Sequence, residues 1–133
     1  MKAFFDTNIL IYAQSTDPRK QRALDLISLG GVISVQVLNE FANVLHRKLG
    51  RNWDEISLAT QDVRDVFEPV LSLTPDDHVA ALGYAKAHQV AFYDALILAF
   101  ARRAECDVLF SEDFQNGRQF GPLRIVNPFL SEG

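Results

Sequence analysis

Short apolar runs alternate with longer amphipathic segments along this chain, and the alternation predicts its secondary structure. Unbroken apolar runs are typical of strands that are buried on both faces of a parallel sheet. They predict strands at residues 3–5, 32–35, 70–73, 107–111 and 123–126. Apolar positions that recur with the helical period predict helices at residues 9–13, 19–29, 36–49, 53–67, 75–88 and 93–104.

Local signals mark where two of these helices begin. Asn52 is followed three residues later by Glu55, which is a variant of the capping box. Thr74 precedes Pro75 and two acidic residues, so it combines a cap, a proline at the first helical position and acids in the first turn. The last helix is apolar nearly all round, and we expect it to be the most buried.

The order of the predicted elements indicates the fold class. Strands and helices alternate along the length, which is the pattern of an α/β fold with right-handed crossovers. We therefore expect a three-layer α/β/α architecture with a central parallel sheet of four to five strands. A chain of 133 residues is expected to form a single domain, here over residues 1–133.

Charge and cysteine content narrow the possible functions. The net charge of −4 argues against binding nucleic acid through charge alone, so a polyanionic substrate would need a divalent metal to cancel the acids locally. The single cysteine, Cys106, excludes an internal disulfide and a multi-cysteine zinc site, and it fits a reducing cytoplasm. The longest apolar run, residues 95–101, is too short to span a membrane. We expect a cytoplasmic protein without a membrane partner.

Four acidic residues stand at the ends or starts of predicted elements. Asp6 ends the first strand and Glu40 lies on the helix after the second strand, while Asp94 opens the most apolar helix and Asp113 follows the fourth strand. The carboxyl ends of parallel strands share one edge of the sheet, so the four can converge. Two carboxylates about 4 to 5 Å apart repel by roughly 3 to 4 kcal/mol at an effective dielectric constant near 20, and a cation would relieve this. Oxygen ligands alone favour Mg²⁺ or Mn²⁺.

These acids belong to four short motifs. The motifs are Asp6-Thr7-Asn8, Asn39-Glu40, Tyr93-Asp94-Ala95-Leu96-Ile97 and Ser111-Glu112-Asp113-Phe114. Together and in this order they resemble the PIN-domain family, and within it the toxin component of VapBC-type toxin-antitoxin modules. The resemblance implies a compact α/β/α fold and a metal-dependent endoribonuclease that acts on RNA. For the toxin branch it also implies a cognate antitoxin that blocks the site, and commonly a homodimer.

The resemblance also implies roles for individual acids. The catalytic candidates match the family's acidic quartet and are Asp6, Glu40, Asp94 and Asp113. We expect Asp6, Asp94 and Asp113 to hold the metal. Glu40 is then either a further ligand or the group that orients the attacking water.

Neighbouring polar residues match the supporting positions of the family. Thr7 or Asn8, together with Ser111, supplies the supporting hydroxyl or amide. Glu112 directly precedes Asp113, and adjacent residues on an extended segment point to opposite sides, so only one of the two should face the metal. We predict that Asp113 does so.

Each acid also has an ordinary structural explanation. Asp6 could be a turn residue or a helix cap, and Glu40 a solvated residue on a polar helical stripe. Asp94 could complement the helix dipole, and Asp113 could be a loop acid. Two other functions therefore stay open. A haloacid-dehalogenase-like phosphohydrolase would use Asp6 as its nucleophile, although that family has a second Asp where Asn8 stands. A receiver-like domain would hold metal without cleaving a substrate.

Overall fold

The computed structural model describes residues 1–130 and contains alternating strands and helices. The strands are β1 (Ala3–Phe5), β2 (Ile33–Ser34), β3 (Val70–Leu71), β4 (Val108–Phe110), β5 (Gln119–Phe120) and β6 (Leu123–Val126). The helices are α1 (Thr7–Ala13), α2 (Lys20–Ile27), α3 (Val35–Arg47), α4 (Trp53–Val66), α5 (Pro75–His88) and α6 (Phe92–Arg103). The predicted order of elements is confirmed.

The strands are arranged in the order β3-β2-β1-β4-β6-β5, and neighbours are parallel except for the last pair. A single parallel bridge between Phe4 and Val32 joins β1 to β2. All five predicted strands are therefore present and parallel. The sheet is mixed rather than wholly parallel, because β5, which was not predicted, pairs antiparallel with β6. Gly121, with a positive φ of 61°, makes the tight turn between these two strands.

Helices cover both faces of the sheet, as predicted. Side chains of β1 point alternately to the two faces. The ring of Phe4 stacks on Phe100 of α6 with a centroid distance of 6.3 Å, whereas the ring of Phe5 lies 5.0 Å from that of Phe67, directly after α4. Residues 95–101 of α6 are all buried, which confirms the prediction that this helix is the most buried. Among residues 1–130, no helix is long and apolar enough to cross a membrane.

Side-chain caps mark where α1, α3, α4 and α5 begin, whereas α2 and α6 have no such cap. The capping boxes at Asn52 and Thr74 are both present, as predicted. Ser34 caps α3 by accepting a hydrogen bond from the backbone N–H of Val37. The first helix begins at Thr7, two residues earlier than predicted, because Asp6 is its N-cap. The acid that ends β1 therefore also starts α1.

Candidate active site

Asp6 lies in the interior, at the junction of β1 and α1. Its side chain is 4% exposed, and its backbone N–H donates to the carbonyl oxygen of Phe110 at the end of β4. One carboxylate oxygen accepts from the backbone N–H of Thr7 at 2.7 Å, and the other accepts from the hydroxyl of Ser111 at 2.7 Å. The cap interpretation of Asp6 is thus correct, but an ordinary cap is exposed, and this carboxylate is buried between two strands.

Burial and a second carboxyl group change the acidity of Asp6. Burial raises its pKa from 3.8 to about 7; the hydrogen bond from Ser111 works against this rise, and the nearby carboxyl of Asp113 adds to it. Within residues 1–130, no Lys or Arg nitrogen lies within 4 Å of Asp6. The buried carboxylate therefore has no cationic side chain to neutralise it, and near neutral pH it is partly protonated.

Thr7 connects Asp6 to the second predicted acid. The backbone N–H of Thr7 bonds to Asp6, and its hydroxyl donates to a carboxylate oxygen of Glu40 at 2.8 Å. The other oxygen of Glu40 accepts from the side-chain amide of Gln36 at 3.4 Å. Glu40 is half-buried and oriented from both sides, so it is not the solvated residue that a polar stripe alone would indicate. Gln36 was not predicted as a site residue, although its spacing of four residues from Glu40 on one helix places both on the same face.

Ser111 orders the segment that carries Asp113. Its hydroxyl donates to Asp6 and accepts from the backbone N–H of Asp113 at 3.0 Å. This tight local turn brings the exposed carboxyl of Asp113 close enough to Asp6 to raise the pKa of that residue. Thr7 and Ser111 both contact the acids, as their predicted supporting role requires. Asn8 is exposed on α1, and within the described chain its side chain makes no hydrogen bond to the acids.

Glu112 is held in a separate cluster, which we call the Glu112 clasp and define as Glu112, Tyr12 and Arg19. The hydroxyl of Tyr12 donates to one carboxylate oxygen at 2.5 Å, and the guanidinium of Arg19 contacts the other at 3.1 Å. The guanidinium carbon of Arg19 also lies 4.2 Å from the centre of the Tyr12 ring. Burial and the neighbouring Glu112 raise the pKa of Tyr12 to about 12. The carboxylate of Glu112 is thus bonded to Tyr12 of α1 and to Arg19 in the turn after it, which agrees with the prediction that Asp113 belongs to the acidic cluster.

Asp94 completes the group from the first turn of α6. Its side chain is half-buried, and its pKa is raised by burial and then by the charges of Asp113 and Glu40. Asp113 thus acts on both Asp6 and Asp94, and Glu40 acts on Asp94. The four predicted acids lie in one electrostatic neighbourhood, which we call the acidic cluster.

The donor chemistry of the acidic cluster fits a hard divalent cation. Every candidate ligand is a carboxylate, and within residues 1–130 none of the four forms an ion pair with Lys or Arg. In the described chain no three Asp, Glu, His or Cys side chains stand close enough to form a ready-made metal site. Asp113 raises the pKa of both Asp6 and Asp94, so it is the acid that these two share. Mg²⁺ keeps several of its waters in proteins, so a pair of carboxylates with water is a recognised way to hold it.

Comparison with known proteins assigns the family. The family model for the PIN domain matches residues 3–116, which include all four acids. The chain belongs to the PIN-domain family. A search of curated proteins finds no match for it. The predicted PIN-like α/β fold is thereby confirmed.

Solved structures of similar fold extend over nearly the whole of this PIN domain. VapC20 of Mycobacterium tuberculosis, described as a sarcin-ricin loop cleaving toxin, superposes with a TM-score of 0.71 at 23% identity and covers 86% of this chain and 92% of its own. A toxin-antitoxin complex from Klebsiella pneumoniae gives 0.73 at 20% identity, covering 96% and 98%. VapBC2 of Rickettsia felis, bound to a DNA fragment from its promoter, gives 0.69 at 15% identity, covering 94% and 97%. At these identities the similarity establishes the fold.

Proposed function

We propose that this PIN domain is a metal-dependent endoribonuclease that hydrolyses RNA phosphodiester bonds and serves as the toxin of a VapBC-type pair. The observation that carries the proposal is the acidic cluster at the carboxyl edge of the sheet. A buried carboxylate with a pKa near 7 and no cationic partner in residues 1–130 destabilises the fold. Groups of this kind cluster at functional sites, so Asp6 is a candidate for such a site. The fold shared with a toxin named for cleaving the sarcin-ricin loop supports the same reading.

In this proposal Asp6, Asp94 and Asp113 hold Mg²⁺ or Mn²⁺. The bound cation would lower the pKa of a water molecule and offset the charge of the phosphate. Thr7 and Ser111 keep the carboxylate of Asp6 in one orientation through the two hydrogen bonds of 2.7 Å. A fixed carboxylate needs little rearrangement when substrate arrives, which is how preorganised sites gain rate.

Glu40 is suited to handle the proton of the attacking water. The hydrogen bonds from Thr7 and Gln36 fix its two oxygens, and each oxygen keeps a second lone pair that can accept a proton from water. Glu40 is half-buried, and its charge raises the pKa of Asp94, so it lies near the proposed metal ligands. We assign Glu40 the role of orienting water.

The partners in this proposal follow from the toxin assignment. One neighbour of the same fold was solved as a toxin-antitoxin complex, and another, VapBC2, was solved bound to promoter DNA. By analogy we propose a cognate antitoxin that covers the acidic cluster, a homodimer, and action in the cytoplasm on RNA. A basic antitoxin would also offset the net charge of −4.

An RNA cleavage assay with matched variants tests the enzymatic part. End-labelled RNA is incubated with the purified protein and Mn²⁺ or Mg²⁺, with and without EDTA. We expect internal cleavage that EDTA abolishes and that Asp6→Asn and Asp94→Asn each reduce by roughly 100-fold or more. Asp62→Asn, an exposed acid on α4, is the matched control and should cleave like the wild type.

Two parallel assays on the same protein distinguish the alternatives. Release of phosphate from a small phosphate ester, without RNA cleavage, would identify a phosphohydrolase. Calorimetric binding of Mn²⁺ with no turnover would identify a metal-binding domain that is not an enzyme. Cleavage that survives in EDTA, or in both Asp→Asn variants, would point to a contaminating nuclease and refute the proposed site.

A further inference from the structure

A groove of about 460 Å³ opens beside the acidic cluster. Three segments at the carboxyl edge of the sheet form it: the first turn of α3 with Gln36, the connection from β3 to α5 with Leu73, and the start of α6 with Phe92 and Tyr93. We call it the aromatic groove, and His78 of α5 also lines it.

The groove is continuous with the acidic cluster through two of its residues. The side-chain amide of Gln36 lines the groove and also donates to Glu40 at 3.4 Å. Tyr93 lines the groove and directly precedes Asp94 in the first turn of α6. A molecule that occupies the groove therefore touches the partner of Glu40 and the residue next to the proposed metal ligand Asp94.

Aromatic rings form much of the groove, and the outermost ring is presented to solvent. The side chain of Tyr93 is 63% exposed, and its ring centre lies 5.7 Å from that of Phe92. The ring centre of His78 also lies 5.4 Å from that of Phe92. An exposed tyrosine that contacts a neighbouring ring edge to face offers a flat surface on which another planar group can stack.

The charge of the lining decides which kind of group fits. None of the residues that line the groove is Lys, Arg, Asp or Glu, so the lining offers no charged partner to a phosphate or a charged side chain. Gln36 uses one amide hydrogen on Glu40 and retains a second hydrogen and its carbonyl oxygen. The groove thus has apolar walls, an exposed aromatic ring and the amide of Gln36 at one side. Proteins bind unstacked nucleobases with features of this kind.

We propose that the aromatic groove binds one base of the RNA chain next to the phosphate that is cleaved, with Tyr93 as the stacking surface and Gln36 facing the edge of the base. The inference rests on the proposed function, because it names how that site holds its substrate. It makes Tyr93 and Gln36 determinants of which sequences are cut, whereas the acids determine the reaction itself.

Substitution of Tyr93 tests the stacking surface. A pool of short random-sequence oligoribonucleotides is cleaved with Mn²⁺, and the new ends are sequenced. Tyr93→Ala should lower kcat/KM by roughly 5- to 150-fold, the range for loss of one stacked base, and most of the change should be in KM. Tyr93→Phe keeps the ring and should restore the wild-type rate. Trp53→Ala removes a ring of similar exposure on α4, away from the groove, and should have no effect.

A substrate that lacks the base gives a sharper test. An abasic nucleotide is placed in turn on each side of the cleaved bond. At one of these positions the wild type should lose the same factor as Tyr93→Ala loses on intact RNA, and Tyr93→Ala should then lose nothing more. Gln36→Ala should flatten the base preference at that position, which is a ratio within one pool and does not depend on the overall rate.

The opposing outcomes can be told apart. If Tyr93→Ala cleaves intact and abasic RNA in the same ratio as the wild type, the groove does not hold a base. If Tyr93→Ala is inactive and light scattering shows that it has lost a dimer, a second copy of the chain covers the groove. If the wild type cleaves no RNA, the proposed function fails, and anisotropy of labelled intact and abasic oligonucleotides then decides the groove by itself.

Discussion

The buried carboxyl of Asp6 makes a prediction about stability that does not depend on catalysis. Its pKa is raised from 3.8 to about 7, so the folded protein holds a proton that the unfolded chain releases. A raised folded pKa favours the fold below pH 3.8, and this advantage is lost as the pH rises towards and through 7. Asp6→Asn removes the titration and keeps the shape of the side chain. We therefore expect the variant without metal to be more stable than the wild type at neutral and alkaline pH.

The size of the effect follows from the shift. A shift of about 3 pKa units corresponds to about 4 kcal/mol at 1.36 kcal/mol per unit. The amide of the variant can donate to Ser111, whose oxygen has two lone pairs, so that contact is retained. Allowing for partial relaxation around Asp113, we expect a gain of roughly 2 to 4 kcal/mol at pH 8, or about 10 °C in melting temperature for a domain of this size. At pH 4 the two proteins should be nearly equal.

Urea unfolding in EDTA, followed by circular dichroism at pH values from 4 to 8, measures this difference. Asp62→Asn serves as the control, because its carboxylate is exposed on α4, and it should follow the wild type throughout. A gain for Asp6→Asn that grows as the pH rises supports the reasoning. A difference that is constant with pH, or a variant that is less stable at pH 8, would show that the carboxylate is solvated or neutralised in a way that the structure does not contain.

Three further predictions concern the metal, the clasp and the packing of α5 on α6. Millimolar Mn²⁺ should stabilise the wild type, by about 3 kcal/mol of unfolding free energy when its concentration is 100 times the dissociation constant, and so raise the melting temperature. Asp94→Asn should abolish this rise in scanning calorimetry. Tyr12→Phe removes one donor to Glu112 and should lower the free energy of unfolding by about 1 kcal/mol in urea; no change would mean that the hydroxyl is solvated instead. Arg103→Met removes the guanidinium that contacts the buried carboxylate of Asp77 at 2.8 Å and leaves that carboxylate with its hydrogen bonds from Thr74. Because Arg103 is partly exposed, we expect a loss of about 1 to 2 kcal/mol, which a wild-type midpoint in the same urea titration would contradict.

Elements with strong local signals were predictable from sequence. The run at residues 3–5 reads as a doubly buried strand because both faces of β1 are covered: Phe4 packs on Phe100 of α6, and Phe5 packs on Phe67 directly after α4. The capping boxes at Asn52 and Thr74 are formed by residues three apart, so their chemistry is local. By contrast, β5 has only two residues, too few to show a period, and it exists because Gly121 turns the chain back onto β6.

The acidic cluster was predictable in its members, but much of its hydrogen bonding was not. Asp6 and Asp113 follow the parallel strands β1 and β4, and Glu40 lies on the helix after β2, so the shared carboxyl edge accounts for these three. Asp94 begins a helix that follows another helix, and its place in the cluster depends on the packing of α6. The orientation of the acids depends on contacts between residues far apart in sequence, such as the bond of Ser111 to Asp6, 105 positions away. No periodicity encodes a pair of that kind. The role of Gln36 was accessible through its spacing from Glu40, whereas the positions of Tyr12 and Arg19 were not.

The Glu112 clasp connects the turn between α1 and α2 to the segment that carries Asp113, although Arg19 and Glu112 are 93 residues apart in sequence. Arg19 is anchored in that turn by two contacts to Asp17 of 2.8 and 2.9 Å, and it reaches Glu112, the residue directly before Asp113. We therefore expect that a substitution of Asp17 or Arg19 shifts Glu112 and the adjoining backbone of Asp113, although neither residue belongs to the acidic cluster.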